Sequence, residues 1–217
     1  MLDLLSSLDA DLLRSSECWF GGGTAVSLRC GEPRVSKDVD FLCASHDGYR
    51  RLRQHVFGRD AQALFRVPIV AVRELRADRY GLRTAVRIGD AVIKLELISE
   101  GRIPLGGTDD PELPVSRLAD VDLVAEKLLA NVDRGADDVS LSRDIVDLLL
   151  LEETLGALPE ASFEKARSAY GDSVDRAFAG SLARLASDVA QRERFFELLG
   201  LAEDARAMIR SRVARSA

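Results

Sequence analysis

The sequence predicts an α+β chain, with a small mixed-sheet domain over residues 1–110 followed by an all-helical domain over residues 111–217. Three observations predict it. Before residue 100, several short runs alternate polar and apolar residues, the two-residue period of a strand with one wet face. A glycine- and proline-rich stretch, IPLGGTDDPELP at 103–114, then reads as a linker. Beyond it apolar residues recur at helical spacing, and no strand pattern is convincing.

Taken in order, residues 1–14 read as a helix, with Leu2, Leu5, Leu8 and Leu12 near helical spacing. CWF reads as a short strand that ends at Gly21, Gly22 and Gly23, and Thr24 to Arg29 as a helix stopped near Gly31 and Pro33. KDVDFL at 37–42 alternates as a half-wet strand, 46–57 reads as a helix, and strands follow at roughly 67–76, 82–88 and 91–98. Helices are expected at 117–133, 142–154, 160–169, 172–188 and 190–214, the last with a break near Gly200.

Length, at 217 residues, is enough for a sizeable core. No apolar run approaches the ~20 residues of a membrane span, and the acidic amphipathic start lacks the basic region of a signal peptide. Cys18, Cys30 and Cys43 fit neither a zinc pattern nor a disulfide framework; they read as buried thiols of a cytoplasmic protein. The net charge of −6 hides a basic segment: residues 50–87 hold ten arginines against Asp60, Glu74 and Asp78. Such a segment suits phosphates or nucleic acid, or is simply a solvated face. His46 and His55 read as surface residues of a helix.

Asp38 and Asp40, two apart on a strand, leave the same face. Carboxylates that close repel unless a cation lies between them, and hard oxygen donors suit Mg²⁺ or Mn²⁺. A solvent-facing strand with two acids gives the same pattern. The Gly22-Gly23-Thr24 turn leads from strand to helix, where unpaired N–H groups can meet an anion and a glycine lets the backbone approach it closely. Glu96 adds a third acid on the polar face of AVIKLELI, where it can also pair with Lys94. Three carboxylates beside a phosphate-binding turn can serve two-metal phosphoryl or nucleotidyl transfer.

GGTAV at 22–26 and RVSKDVD at 34–40 resemble the glycine turn and D-x-D motif of the nucleotidyltransferase superfamily, with its DNA polymerase β-like fold. More narrowly they resemble the AbiEii/AbiGii toxin family, MenT-like enzymes included. The resemblance continues in order through Lys127-Leu128-Leu129-Ala130, Arg134 and Arg143-Asp144-Ile145-Val146-Asp147. It implies a magnesium-dependent nucleotidyltransferase fold and activity: an NMP moves from an NTP to an acceptor hydroxyl, with RNA or tRNA the expected acceptor. It also implies a toxin–antitoxin or phage-defence setting with a cognate antitoxin. By the same resemblance Asp38, Asp40 and Glu96 hold the metal, and Gly22, Gly23 and Thr24 cradle the triphosphate. Lys127 neutralises phosphate charge, and Asp144 positions it.

The helical residues also have their own physical reading. Val121, Ala125, Leu128, Leu129 and Val132 form one apolar stripe, and Lys127 falls on the far side, solvated or reaching into a cleft. It is one of only four lysines, beside 26 arginines. In RDIVDLLLLEE, Asp144 and Asp147 need a partner such as an arginine, and Arg143 with Asp147 offers an i, i+4 pair. Either aspartate can be the functional acid. Two other functions remain open on sequence alone: nucleotidyl transfer to a small molecule, and an inactive nucleotidyltransferase fold used for binding.

Overall fold

The computed structural model describes residues 1–135 and 143–215, so the first residue of the helix expected at 142–154 lies outside the described residues. The chain forms two compact units, one of residues 1–25 and 37–119, the other of residues 26–36 and 120–217.

The first unit is built on one seven-stranded sheet. Its strands are β1 (Cys18–Gly21), β2 (Asp38–Cys43), β3 (Val70–Ala77), β4 (Gly81–Ile88), β5 (Ala91–Ser99), β6 (Gly107–Thr108) and β7 (Arg117–Leu118), in the order β3-β4-β5-β2-β1-β7-β6. β2 lies parallel to β5 and antiparallel to β1, so the sheet is mixed. Its core face follows the alternation in the sequence. Val39 and Phe41 of β2, Leu82 and Val86 of β4, and Ile93, Leu95 and Leu97 of β5 are all buried, and the Phe20 and Phe41 rings lie 5.5 Å apart. Cys18 and Cys43 face each other across β1 and β2 and are buried free thiols, whereas Cys30 is half-buried.

Three local expectations change. The single helix expected at 1–14 is two, α1 (Leu2–Ser7) and α2 (Ala10–Ser15). Leu8 between them is extended and bridges to Phe65, while the Asp9 side chain caps α2 by accepting from the Leu12 N–H. The stretch expected as a linker contains β6, and β7 lies where a helix was expected to begin. Two-residue strands leave no alternation to detect, and here a tertiary contact selects them. Gly107 lies against the Trp19 indole, where an added Cβ would come within 2.3 Å of the ring. The remaining elements of this unit are α4 (His46–Val56), started by a Ser45 cap, and a 3₁₀ turn at Ala61–Leu64. α3 (Gly22–Arg29) begins at the glycines and runs on into the second unit.

The second unit is helical: α5 (Asp120–Arg134), α6 (Arg143–Leu155), α7 (Glu160–Tyr170), α8 (Ser173–Ser187), α9 (Val189–Leu198) and α10 (Glu203–Ala214). α5 packs against α6, α7 and α8. The expected break in the last helical stretch falls between α9 and α10, where Gly200 takes φ +59°. Residues 26–36 are tied to this unit by the bonds Val35 N–H to Leu199 O and Ala202 N–H to Pro33 O. Among the described residues, no helix is long and apolar enough to cross a membrane.

Candidate active site

In the first unit the carboxylates are placed by strand register. Asp38 pairs with Lys94 and Asp40 with Glu96 across the parallel β2–β5 ladder. Because alternate residues share a face, Asp38, Asp40, Lys94 and Glu96 all lie on the face opposite the Val39–Phe41 core. Asp38 is exposed and Asp40 half-buried. Glu96 does not stand alone: Lys94 Nζ lies 2.7 Å from it and Arg83 Nε, on the next strand, 3.1 Å. Sequence reasoning foresaw the Lys94 contact but not Arg83, whose pairing depends on the β4–β5 register.

The glycine turn abuts this face. Gly22 sits at φ +68°, and a Cβ added there would come within 2.3 Å of Asp40 Oδ2. The first residue of α3 thus lies directly against the Asp40 carboxylate, and only glycine permits both the dihedral and the contact. Thr24, expected as a phosphate contact, is buried, and its hydroxyl donates to the backbone carbonyl of Asp38. It fastens the start of α3 to the start of β2. A Gly22→Ala variant should therefore lose roughly 1–2 kcal/mol from the left-handed dihedral, plus the cost of displacing Asp40. Chemical denaturation measures the first part; the second shows as a loss of activity larger than the unfolded fraction explains.

Lys127 and Asp144 meet in the second unit, in a chain of five charges of which four, Arg34, Asp147, Lys127 and Asp144, are buried and the fifth, Arg134, is exposed. The Arg34 guanidinium grips Asp147 through two bonds, of 2.6 and 2.9 Å. Lys127 Nζ lies 2.6 Å from Asp147 Oδ2 and 3.2 Å from Asp144 Oδ1. Arg134 closes the chain with bonds of 2.6 and 3.0 Å to Asp144. Lys127, away from the apolar stripe as its position predicts, is neither solvated nor exposed; it is buried between two aspartates. The expected Arg143–Asp147 pair is replaced by Arg34–Asp147, and Arg143 is exposed. Sequence reasoning placed Arg34 and Arg134 inside motifs but gave them no role. The signal was the demand of two acids on an apolar helix for partners, and only the fold names them.

Burial alone would push the Asp144 carboxyl up, but Lys127 and Arg134 outweigh it and hold it down at about 2. Asp147 likewise holds Arg34 protonated, above the usual guanidinium value, against the pull of burial. Since the folded value of Asp144 lies below the unfolded one of 3.8, its contribution is present in full above about pH 4 and fades as pH falls toward 2. It amounts to something on the order of 2 kcal/mol. In Asp144→Asn, the stability profile from urea melts should be flatter across that window than in the parent.

A divalent metal can be tested against the donors present. Among the described residues no group of three or more His, Cys, Asp or Glu side chains is gathered as for a metal ion. Mg²⁺ needs no such cage: one or two carboxylates suffice, with water and substrate phosphates completing the octahedron. Asp38 and Asp40, hard oxygen donors on one open face, fit that requirement. Glu96, abreast of Asp40, can join them only by exchanging Lys94 and Arg83. A cavity of about 410 Å³ also occurs in this unit, lined by residues that include Tyr49, Arg53, Phe57 and Arg79, but none of the three carboxylates borders it.

Comparison with known proteins gives this geometry a context. The model of the family described as nucleotidyl transferase AbiEii toxin, type IV TA system, matches residues 3–214. The fold is similar to that of JHP933 from Helicobacter pylori, with a TM-score of 0.56 and 16% identity over 99% of this chain and 88% of that one. It is also similar to an antigenic nucleotidyltransferase-like protein from Paracoccidioides brasiliensis, with a TM-score of 0.51 and 16% identity over 84% of this chain and 86% of that one. At such identity these likenesses bear on the fold, a mixed sheet with a helical C-terminal region. No curated protein sequence matches the chain. The family match, spanning nearly every residue, carries the assignment: the chain belongs to the AbiEii family of nucleotidyltransferase toxins.

Proposed function

We propose that the chain moves a nucleoside monophosphate from an NTP to a hydroxyl of RNA, tRNA being the expected form, in a reaction dependent on Mg²⁺ or Mn²⁺. In this reading it is the toxin of a cytoplasmic toxin–antitoxin or phage-defence pair, and an antitoxin is its partner. One observation carries the reading: Asp38, Asp40 and Glu96 share an open sheet face in adjoining register, with the N-terminus of α3 against Asp40.

Residue roles follow from position and chemistry. Asp38 and Asp40, with Glu96 completing the donor set, would hold the metal, which when bound offsets the negative charge of the triphosphate. The Gly22–Gly23 backbone, at a helix start free of side chains, would receive phosphate oxygens. Thr24 would hold that start in place through Asp38. Glu96 would accept the proton of the acceptor hydroxyl as its oxygen attacks the α-phosphorus; the bond to the bridging oxygen breaks and pyrophosphate leaves. Lys127 is assigned to phosphate charge neutralisation and Asp144 to its positioning, on the family pattern and on their contact within the second unit.

The test is direct. The protein is incubated with Mg²⁺, each labelled NTP in turn and total RNA, beside an Asp40→Ala control. Label entering RNA with one NTP and not with the control supports the proposal. Equal labelling by the control, or none with any NTP, ends it.

A further inference from the structure

The face that carries the carboxylates does not stop at β5. Register extends it across β4 and β3 in rows: Asp40–Glu96–Arg83–Arg76, then Asp38–Lys94–Ala85–Arg73, then Val92–Arg87–Val70. From β2 through β4 partners in a row share a face. The pairing of β3 shifts register on either side of Arg73, and this edge strand is exposed along nearly its whole length, so acid on β2 gives way to cation toward the β3 edge. Arg73, Arg76 and Arg87 are exposed and form no ion pair among the described residues, in contrast to Arg83, which holds Asp78 and Glu96. Arg76 stands opposite Arg83, whose charge Asp78 and Glu96 already offset, so the cations without a protein acid lie toward the β3 edge and at Arg87. Val70 and Val92 flank Arg87 and are exposed as well, and the small Ala85 leaves a low point between Lys94 and Arg73.

We propose that this outer sheet face is the docking surface for the RNA acceptor strand. Its phosphates lie on Arg73, Arg76 and Arg87, and its terminal hydroxyl points toward Glu96 and Asp40. The proposal rests on the reading that RNA is the acceptor. Strands are spaced roughly 4.8 Å apart, so Arg76 stands about 14 Å from Asp40 along its row, within reach of one strand running across the sheet. Cations held without protein acids suit a polyanion whose binding releases counterions. Val70 and Val92 offer the apolar contact on which an unpaired base can rest.

The test uses the full chain, a fluorescein-labelled single-stranded oligoribonucleotide and a triple variant, Arg73→Ser/Arg76→Ser/Arg87→Ser. All three positions are exposed and none belongs to the proposed catalytic set, so folding and magnesium–NTP binding should match the parent. RNA affinity by anisotropy should fall about tenfold or more, and the plot of log affinity against log salt should flatten by about two. Asp40→Asn, in contrast, should bind the strand like the parent. If the triple variant binds RNA with parental affinity and salt slope while the parent labels RNA, the surface is wrong and the acceptor stands. A parent that binds no RNA and labels only a small molecule overturns both.

Discussion

An Asp40→Ala variant is expected to fold and to lose nucleotidyl transfer by more than about a hundredfold, since groups that merely support metal ligands already account for 10- to 100-fold. Stability should change little, because Asp40 is half-buried on a wet face and the sheet core runs through Val39 and Phe41 on the other side. Two readouts separate a metal-holding role from a structural one. In the parent, Mg²⁺ with NTP should raise the melting temperature, increasingly so as the NTP concentration rises above Kd, and in Asp40→Ala that rise should vanish. In Asp40→Glu, where a longer carboxylate meets the same Gly22 backbone, some transfer should return at raised Mg²⁺. An Asp40→Ala enzyme with parental turnover would falsify the carboxylate assignment outright.

Glu96 should behave differently. It is held by Lys94 and Arg83, so Glu96→Gln takes the acid from Lys94, leaves Arg83 with Asp78, and weakens a cross-strand network worth only a few tenths of a kcal/mol to about one. Its loss should therefore appear mainly in turnover and in the pH profile, where removal of a general base erases the acid limb.

How much of this was legible in the sequence depends on how local the cause is. Alternation in DVDFL and AVIKLELI is set by the pleat, so the shared face of Asp38, Asp40 and Glu96 could be read directly. The Gly22 turn could also be read, since glycine marks positive φ, but its partner could not. That the missing Cβ makes room for Asp40 is a fact of β1 and β2 pairing. The same holds for β6 and β7, whose two-residue pairings carry no periodic signal and depend on Trp19. In the second unit, pattern alone showed that Asp144 and Asp147 needed partners. Arg34, 113 positions before Asp147, could be matched to it only by the fold. Arg143 looked the better partner because helical spacing is visible in sequence and tertiary contact is not.

The largest stability effect is expected at Asp147. Its side chain is fully buried, and both oxygens are engaged, one by Arg34 and the other shared by Arg34 and Lys127. Asp147→Ala takes both carboxylate bonds from the buried Arg34 guanidinium, while Lys127 keeps Asp144. Removing one partner of a buried pair costs about 3–5 kcal/mol, which for a chain of this length lowers the melting temperature by roughly 10 °C. Removing both charges should cost less than removing one: Arg34→Met/Asp147→Leu should recover much of the loss, since no uncompensated ion remains. Lys127→Met is the informative contrast. Each aspartate then still holds its own arginine in a two-bond pair, so stability should fall by only about 1–2 kcal/mol. If Lys127 also serves transfer, its turnover should fall far more than that loss explains, and Lys127→Arg should not rescue it, since a planar fork cannot replace a compact ammonium between two carboxylates. Turnover that merely tracks the folded fraction in Lys127→Met would make the whole chain of charges structural.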